Sequence, residues 1–160
     1  MGGSSSTSSY LDAAQTGNLD KLLDLLESGK VTVSTANANG LHALHFAAKK
    51  GHIDIVSELL NRGADVNVAT NRGNTALHIA SLAGHLDTVT LLLQRGALIN
   101  TQSKGGFTPL YMAAQENHVA IVKCLLDQKA NPALATKDGF MPLAVALQQG
   151  HMEVVNLLQG

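Results

Sequence analysis

Gly106-Phe107-Thr108-Pro109-Leu110-Tyr111-Met112-Ala113-Ala114-Gln115-Glu116-Asn117-His118 is followed, 33 residues on, by Gly139-Phe140-Met141-Pro142-Leu143-Ala144-Val145-Ala146-Leu147-Gln148-Gln149-Gly150-His151. The step continues outward: Gly40 and Gly73, Leu44 and Leu77, and His52 and His85 stand in the same 33-residue frame. Self-similarity at such a period marks one supersecondary unit that cannot bury its apolar face alone and must stack on copies of itself.

Each unit reads as a turn, a short helix, a tight reversal, a longer helix and a loop. Thr108-Pro109-Leu110 supplies a side-chain cap, a proline suited to the first helical turn and the first core residue. Gly51, Gly84 and Gly150 fall where the first helix must end in a left-handed residue, and Asn117 takes that place in the fourth unit. The second helix then carries its apolar residues at helical spacing, Ile55-Val56 with Leu59-Leu60, and Val89 with Leu92-Leu93. The pattern predicts an all-α solenoid of five helix-turn-helix repeats with connecting hairpin loops, over residues 10–36, 37–69, 70–102, 103–135 and 136–160. Its length and contents are those of the ankyrin repeat.

The ends depart from the frame. Residues 1–9, Met-Gly-Gly and a Ser/Thr run, read as a disordered linker or tag remnant. Gly2 with Ser6 also fits the loose N-myristoylation pattern, which such a linker matches by accident. The first unit lacks a Thr-Pro-Leu start and reads as an N-terminal cap. The fifth stops at Gly160, with Val154, Val155, Leu157 and Leu158 left partly uncovered, and is expected to be the cut edge of a longer array.

The two quoted stretches also resemble the fourth and fifth repeats of the ankyrins proper, the adaptors between membrane proteins and the spectrin skeleton. Ala13-Ala14-Gln15-Thr16-Gly17-Asn18-Leu19-Asp20-Lys21 is similar to the opening of their repeat array. The departures are His42-Ala43 for Thr-Pro, Met141 for a capping Thr, and Lys129-Ala130-Asn131-Pro132 for the usual Gly-Ala loop. They point to a divergent member, from an animal distant from vertebrates. The resemblance implies a link to the cytoskeleton, and as ligands the tails of channels, transporters or adhesion molecules, or an internal inhibitory segment. It places the chain in the cytoplasm, at the membrane-associated skeleton.

Composition excludes several classes. With 45% hydrophobic residues the chain has ample core, and 11 Lys plus Arg against 12 Asp plus Glu make no case for a nucleic-acid backbone as partner. A lone Cys124 forms no internal disulfide, so a reducing compartment is the default. No apolar run approaches the roughly 18 residues of a membrane span. Six of the seven histidines recur at repeat positions (His45, His78, His52, His85, His118, His151), which predicts structural hydrogen bonding; His42 has no companion at metal-ligand spacing. Cys124 sits in an apolar stripe beside Leu125 and Leu126 and reads as a small buried hydrophobe. No phosphate-binding glycine motif, HExxH or Gly-x-Ser-x-Gly occurs, so no enzyme, cofactor or metal site is expected.

Frame positions are committed to the fold, and the residues that break the frame carry the information about partners. The hairpin tips and exposed ends of the first helices give Asn39, Leu41, Lys49, Lys50, Arg72, Asn74, Leu82 and Ala83 in units two and three. Units four and five add Lys104, Phe107, Gln115, Glu116, Lys137, Asp138, Phe140, Gln148 and Gln149. Five cations against two anions make this groove net +3 in a chain of net −1, which steers acidic ligands to it. Alternatively, the lysines only solvate the tips. Phe107 and Phe140 occupy one slot a repeat apart, and burying both would contribute roughly 3–6 kcal/mol gross; alternatively each ring packs on its own hairpin. The resemblance implies that this slot belongs to an apolar segment that binds extended peptides, with the glutamines hydrogen-bonding the ligand backbone. The expected function is a non-catalytic scaffold for extended, partly acidic protein segments. The alternative is a soluble regulator that masks a folded signalling or transcription partner.

Overall fold

Every unit begins its first helix by closing off free backbone N–H groups, and the residues that do so differ from unit to unit. Thr108 Oγ1 accepts from the Tyr111 N–H at 3.1 Å, with Pro109 opening the helix. Thr75 forms a reciprocal box: its Oγ1 accepts from the His78 N–H (3.4 Å), while its own N–H donates to His78 Nδ1 (3.1 Å). At His42, where the capping threonine is missing, half of that box survives, because the His42 N–H donates to His45 Nδ1 at 2.9 Å. Met141 leaves its helix without a side-chain cap. The first helices of units two, three and five end on left-handed glycines, Gly51, Gly84 and Gly150, and Asn117 takes up φ 60° in the same role.

The computed structural model describes residues 2–160, with side chains from Ser6 onward. The helices pair as α1 (Gly2–Thr16) with α2 (Leu19–Glu27), α3 (Ala43–Lys50) with α4 (Ile53–Asn61), and α5 (Ala76–Ala83) with α6 (Leu86–Gln94). Then come α7 (Pro109–Gln115) with α8 (Val119–Asp127) and α9 (Pro142–Gln149) with α10 (Met152–Gln159). The odd-numbered helices pack on one another in one row and α4, α6, α8 and α10 in a second, giving two helical layers with the core between them. The result is an all-helical solenoid of five helix-turn-helix units. Among the described residues the only β-pairing is an isolated bridge between Ala36 and His42.

Leu44, Leu77 and Leu110 form a buried column one residue per unit, flanked by Ala47, Ala80 and Ala113, whose small side chains let neighbouring first helices approach closely. The second row contributes Ile55, Leu59, Val89, Leu92, Ile121 and Leu125. Each such side chain is worth about 1.5–3 kcal/mol when buried. Tyr10 fills the leucine slot of unit one and is fully buried, which pushes its phenol pKa well above the usual range by desolvation.

Two expectations need correction. The Gly/Ser lead-in is not irregular between Gly2 and Ser9 but continues α1 backwards, with Ser6, Thr7 and Ser9 half-buried. Once Tyr10 and Leu11 anchor the helix, extending it costs little per residue, and serine is only modestly unfavourable. Met1, beside the acylation pattern at Gly2, lies outside the described residues. In unit five, Leu157 and Leu158 are partly exposed as expected, but Val154 and Val155 are buried. Greater exposure falls on Leu147 (51%) and Met152 (57%), the former standing where Ala114 and Ser81 are covered by a following unit.

Candidate functional site

The hairpins between units are built alike. Thr70, Ser103 and Thr136 each accept, through a side-chain oxygen, from the N–H four residues on, at 3.2–3.3 Å, and Asn37 does the same for Leu41. The hairpins then join into a ladder: the N–H of Asn71 donates to the Asn39 carbonyl (3.0 Å), that of Lys104 to Arg72 (3.0 Å) and that of Lys137 to Gly105 (2.9 Å). The glycines of the turns permit this closeness. A Cβ on Gly73 would lie 2.9 Å from the Lys104 nitrogen, and Gly73 has φ 82°.

Two depressions of about 350 Å³ open along the ladder. Asn39, Leu41, Thr70, Asn71, Arg72, Asn74 and Ile79 line the first. Adding 33 to each number gives the lining of the second: Arg72, Asn74, Ser103, Lys104, Gly105, Phe107 and Met112. The depression is therefore itself a repeated element, and Arg72 and Asn74 form the wall between its two copies. Asn74 Oδ1 is buried and has no hydrogen-bond partner. Arg72, Lys104 and Lys137 are exposed on consecutive hairpins. The ion pairs of the described residues lie elsewhere, on second helices: Arg62 with Glu27 and Glu58, and Lys123 with Asp127.

The structure thus gathers Leu41, Arg72, Asn74, Lys104 and Phe107 into one strip. Phe107 is half-buried, edge-on to Tyr111 with ring centroids 5.1 Å apart. Phe140 is 52% exposed, because Ala144 stands where Tyr111 supports the earlier ring. Lys49, Lys50, Leu82, Glu116, Gln148 and Gln149 are exposed at the other end of the first helices, with Gln115 half-buried and bonded to Glu116 at 3.1 Å. Thr70, Ser103, Ile79 and Met112 line the depressions but were not among the sequence-derived candidates. The signal for Ile79 and Met112 was available: Phe46, Ile79, Met112 and Val145 hold one slot, apolar in every unit and varied in shape.

The histidines belong to the scaffold. Nε2–H of His52, His85 and His118 donates to the carbonyls of Gln15, Lys49 and Leu82, at 2.9–3.0 Å, tying each second helix to the end of the preceding unit's first helix. His45 and His78 are buried, donating from Nε2 to the carbonyls of Val68 (3.0 Å) and Phe107 (2.8 Å). Burial lowers the His45 pKa to about 4, against the opposing pull of the Val68 carbonyl, and lowers that of His78 likewise. Both rings are neutral at pH 7, with Nδ1 as acceptor, which leaves them no proton to relay. Burial, then the charge of Asp138, raises the Tyr111 pKa. Among the described residues no three His, Cys, Asp or Glu side chains group as metal ligands, and no helix is long and apolar enough to cross a membrane.

The family model described as ankyrin repeats (3 copies) matches residues 11–103 and 96–160. A probable E3 ubiquitin-protein ligase, XBOS33, of Oryza sativa subsp. japonica is 44% identical over 42% of this chain and 13% of its own. Ankyrin repeat domain-containing protein 29 of Homo sapiens is 48% identical over 35% of this chain and 19% of its own. Ankyrin-1 of Homo sapiens is 55% identical over 26% and 2%. The chain spans under a fifth of the length of these relatives, and the shared part is the repeat itself. With its 33-residue frame, its two helical layers and this match along nearly its whole length, the chain belongs to the ankyrin-repeat family, whose repeats are a scaffold for binding proteins.

Proposed function

We propose that this chain is a non-catalytic scaffold that captures extended, partly acidic segments along its hairpin row. The segments would be cytoplasmic tails of membrane proteins or parts of cytoskeletal adaptors, held in the cytoplasm at the membrane skeleton. The observation that carries this reading is the row of exposed cations Arg72, Lys104 and Lys137 on consecutive hairpins, away from the ion pairs of the second helices. Such a row raises the local concentration of acidic ligands and falls in strength with salt. The likeness to ankyrin-1 and the Gln115-Glu116-Asn117-His118 stretch favour the membrane-skeleton branch of the family.

A titration with acidic synthetic peptides tests the reading. Replacing Phe107 and Phe140 together by Gln is expected to weaken a bound peptide at least about tenfold, or ~1.4 kcal/mol. Most of the loss is expected from Phe140, whose ring is the freer. An affinity that stays within twofold would remove the phenylalanine pair from the site. A folded partner, touching the tips broadly, would be insensitive to the pair and would speak for the masking role instead.

A further inference from the structure

The equivalence of the two depressions sets a ruler for the ligand. First helices packed side by side lie about 8–10 Å apart, and an extended chain advances about 3.3 Å per residue. One repeat is therefore matched by three ligand residues, and successive depressions take every third side chain.

The walls say which side chains. Between Arg72 and Lys104 the mouth is doubly cationic, while Met112 and Phe107 give it an apolar floor. Gly105 leaves the space beside Phe107 open, since a Cβ there would lie 2.6 Å from the ring. No acid lines either depression. A carboxylate on a flexible methylene stem suits this chemistry: the stem covers the floor and the oxygens accept from the guanidinium and ammonium groups. The preceding copy shares Arg72 but is otherwise lined by the amides of Asn39, Asn71 and Asn74, the Thr70 hydroxyl, and Leu41 and Ile79. A neutral side chain with both a donor and an acceptor, an amide, suits that lining. One step onward, the frame puts Phe140 where Phe107 and Asn74 stand, an apolar position.

Building on the extended-ligand reading above, we infer that the hairpin row reads a three-residue register, Gln-x-x-Glu-x-x-Leu, with the glutamate seated between Arg72 and Lys104. The glutamine lies over the Asn74 wall and the leucine reaches Phe107 and Phe140.

The test uses fluorescent 13-residue peptides carrying this pattern, in both chain directions, on an alanine and serine background, titrated against the full chain by anisotropy. In one direction the three-residue spacing is expected to bind about tenfold tighter than spacings of two or four. Changing the peptide's Glu to Gln should cost a similar factor on the wild-type chain. On the exposed double variant Arg72→Gln, Lys104→Gln, whose helical circular dichroism should be unchanged, the same peptide change should cost less than twofold. If all spacings bind within twofold while the Phe107 and Phe140 changes still weaken them, the register is wrong and the groove reading stands. If no peptide binds at 1 mM, and a random acidic peptide pool does not either, both are wrong.

Discussion

Two seams run through the same units, and they use the repeat in opposite ways. Where second helices start, the same kind of contact recurs three times: a histidine donates to the end of the preceding first helix, and its ring lies against that helix's terminal glycine. A Cβ on Gly17, Gly51 or Gly84 would come within 2.7–2.9 Å of the rings of His52, His85 and His118. Along the hairpins the backbone ladder is just as regular, yet the side chains it displays change at every step, Leu41, Asn74, Phe107, Phe140 in one slot and Ala38, Asn71, Lys104, Lys137 in another. Backbone hydrogen bonds hold the hairpins, so their side chains are free to vary. Ring-to-glycine packing holds the other seam, so its side chains are not.

The hardest way to break this contrast is to put a side chain where neighbouring hairpins touch. Gly73→Ala combines a left-handed backbone with a Cβ 2.9 Å from the Lys104 nitrogen, and Gly139→Ala has the same backbone, φ 88°, with nothing within 4 Å. The first substitution is expected to cost about 3 kcal/mol and the second about 1–2 kcal/mol, the conformational share alone. Urea denaturation of the two variants measures the difference. Equal losses would mean that the ladder tolerates separation and that the hairpins are not locked together.

An effect of comparable size comes from acid. His45 has its pKa depressed from about 6.5 to about 4 by burial, so between those values the unfolded chain binds a proton that the folded chain refuses. Stability from this ring is complete above pH 6.5 and is lost progressively as pH falls towards 4, by up to about 3 kcal/mol. His78 acts in the same direction. The slope of stability against pH in that window should flatten in His45→Gln, and an unchanged slope would show that the buried ring is not what senses acid.

The period was fully legible in the sequence because it is written in residues with backbone duties: left-handed glycines, capping threonines and leucines of one column. The structural role of the histidines was legible for the same reason. The depressions were not, since each is assembled from two hairpins and the first turns of a helix, and residues such as Thr70 and Ser103 look like ordinary turn residues until the ladder brings them beside Arg72 and Lys104. Nor could spacing tell Phe107 from Phe140. Their difference comes from Tyr111 and Ala144, four residues on, which decide whether a ring finds support.

The smallest expected effect lies at the one irregular step of the histidine seam. Asn117 stands where Gly51 and Gly84 stand, at φ 60°, and its Cβ occupies space that a histidine ring fills elsewhere. His151 reaches its carbonyl differently, through Nδ1 to Ala114 at 3.1 Å, three residues before Asn117, where the other three use Nε2 and the residue two before their terminal glycine. Asn117→Gly removes the side chain and relaxes the backbone, so a gain of about 0.5 kcal/mol is expected. The ring is expected to turn so that Nε2–H donates, towards Gln115. The tautomer is read from imidazole ¹⁵N chemical shifts: His151 should move from the Nδ1–H to the Nε2–H pattern, while His118 stays as it is. If His151 keeps Nδ1–H in the glycine variant, the irregularity belongs to the last unit and not to the side chain at position 117.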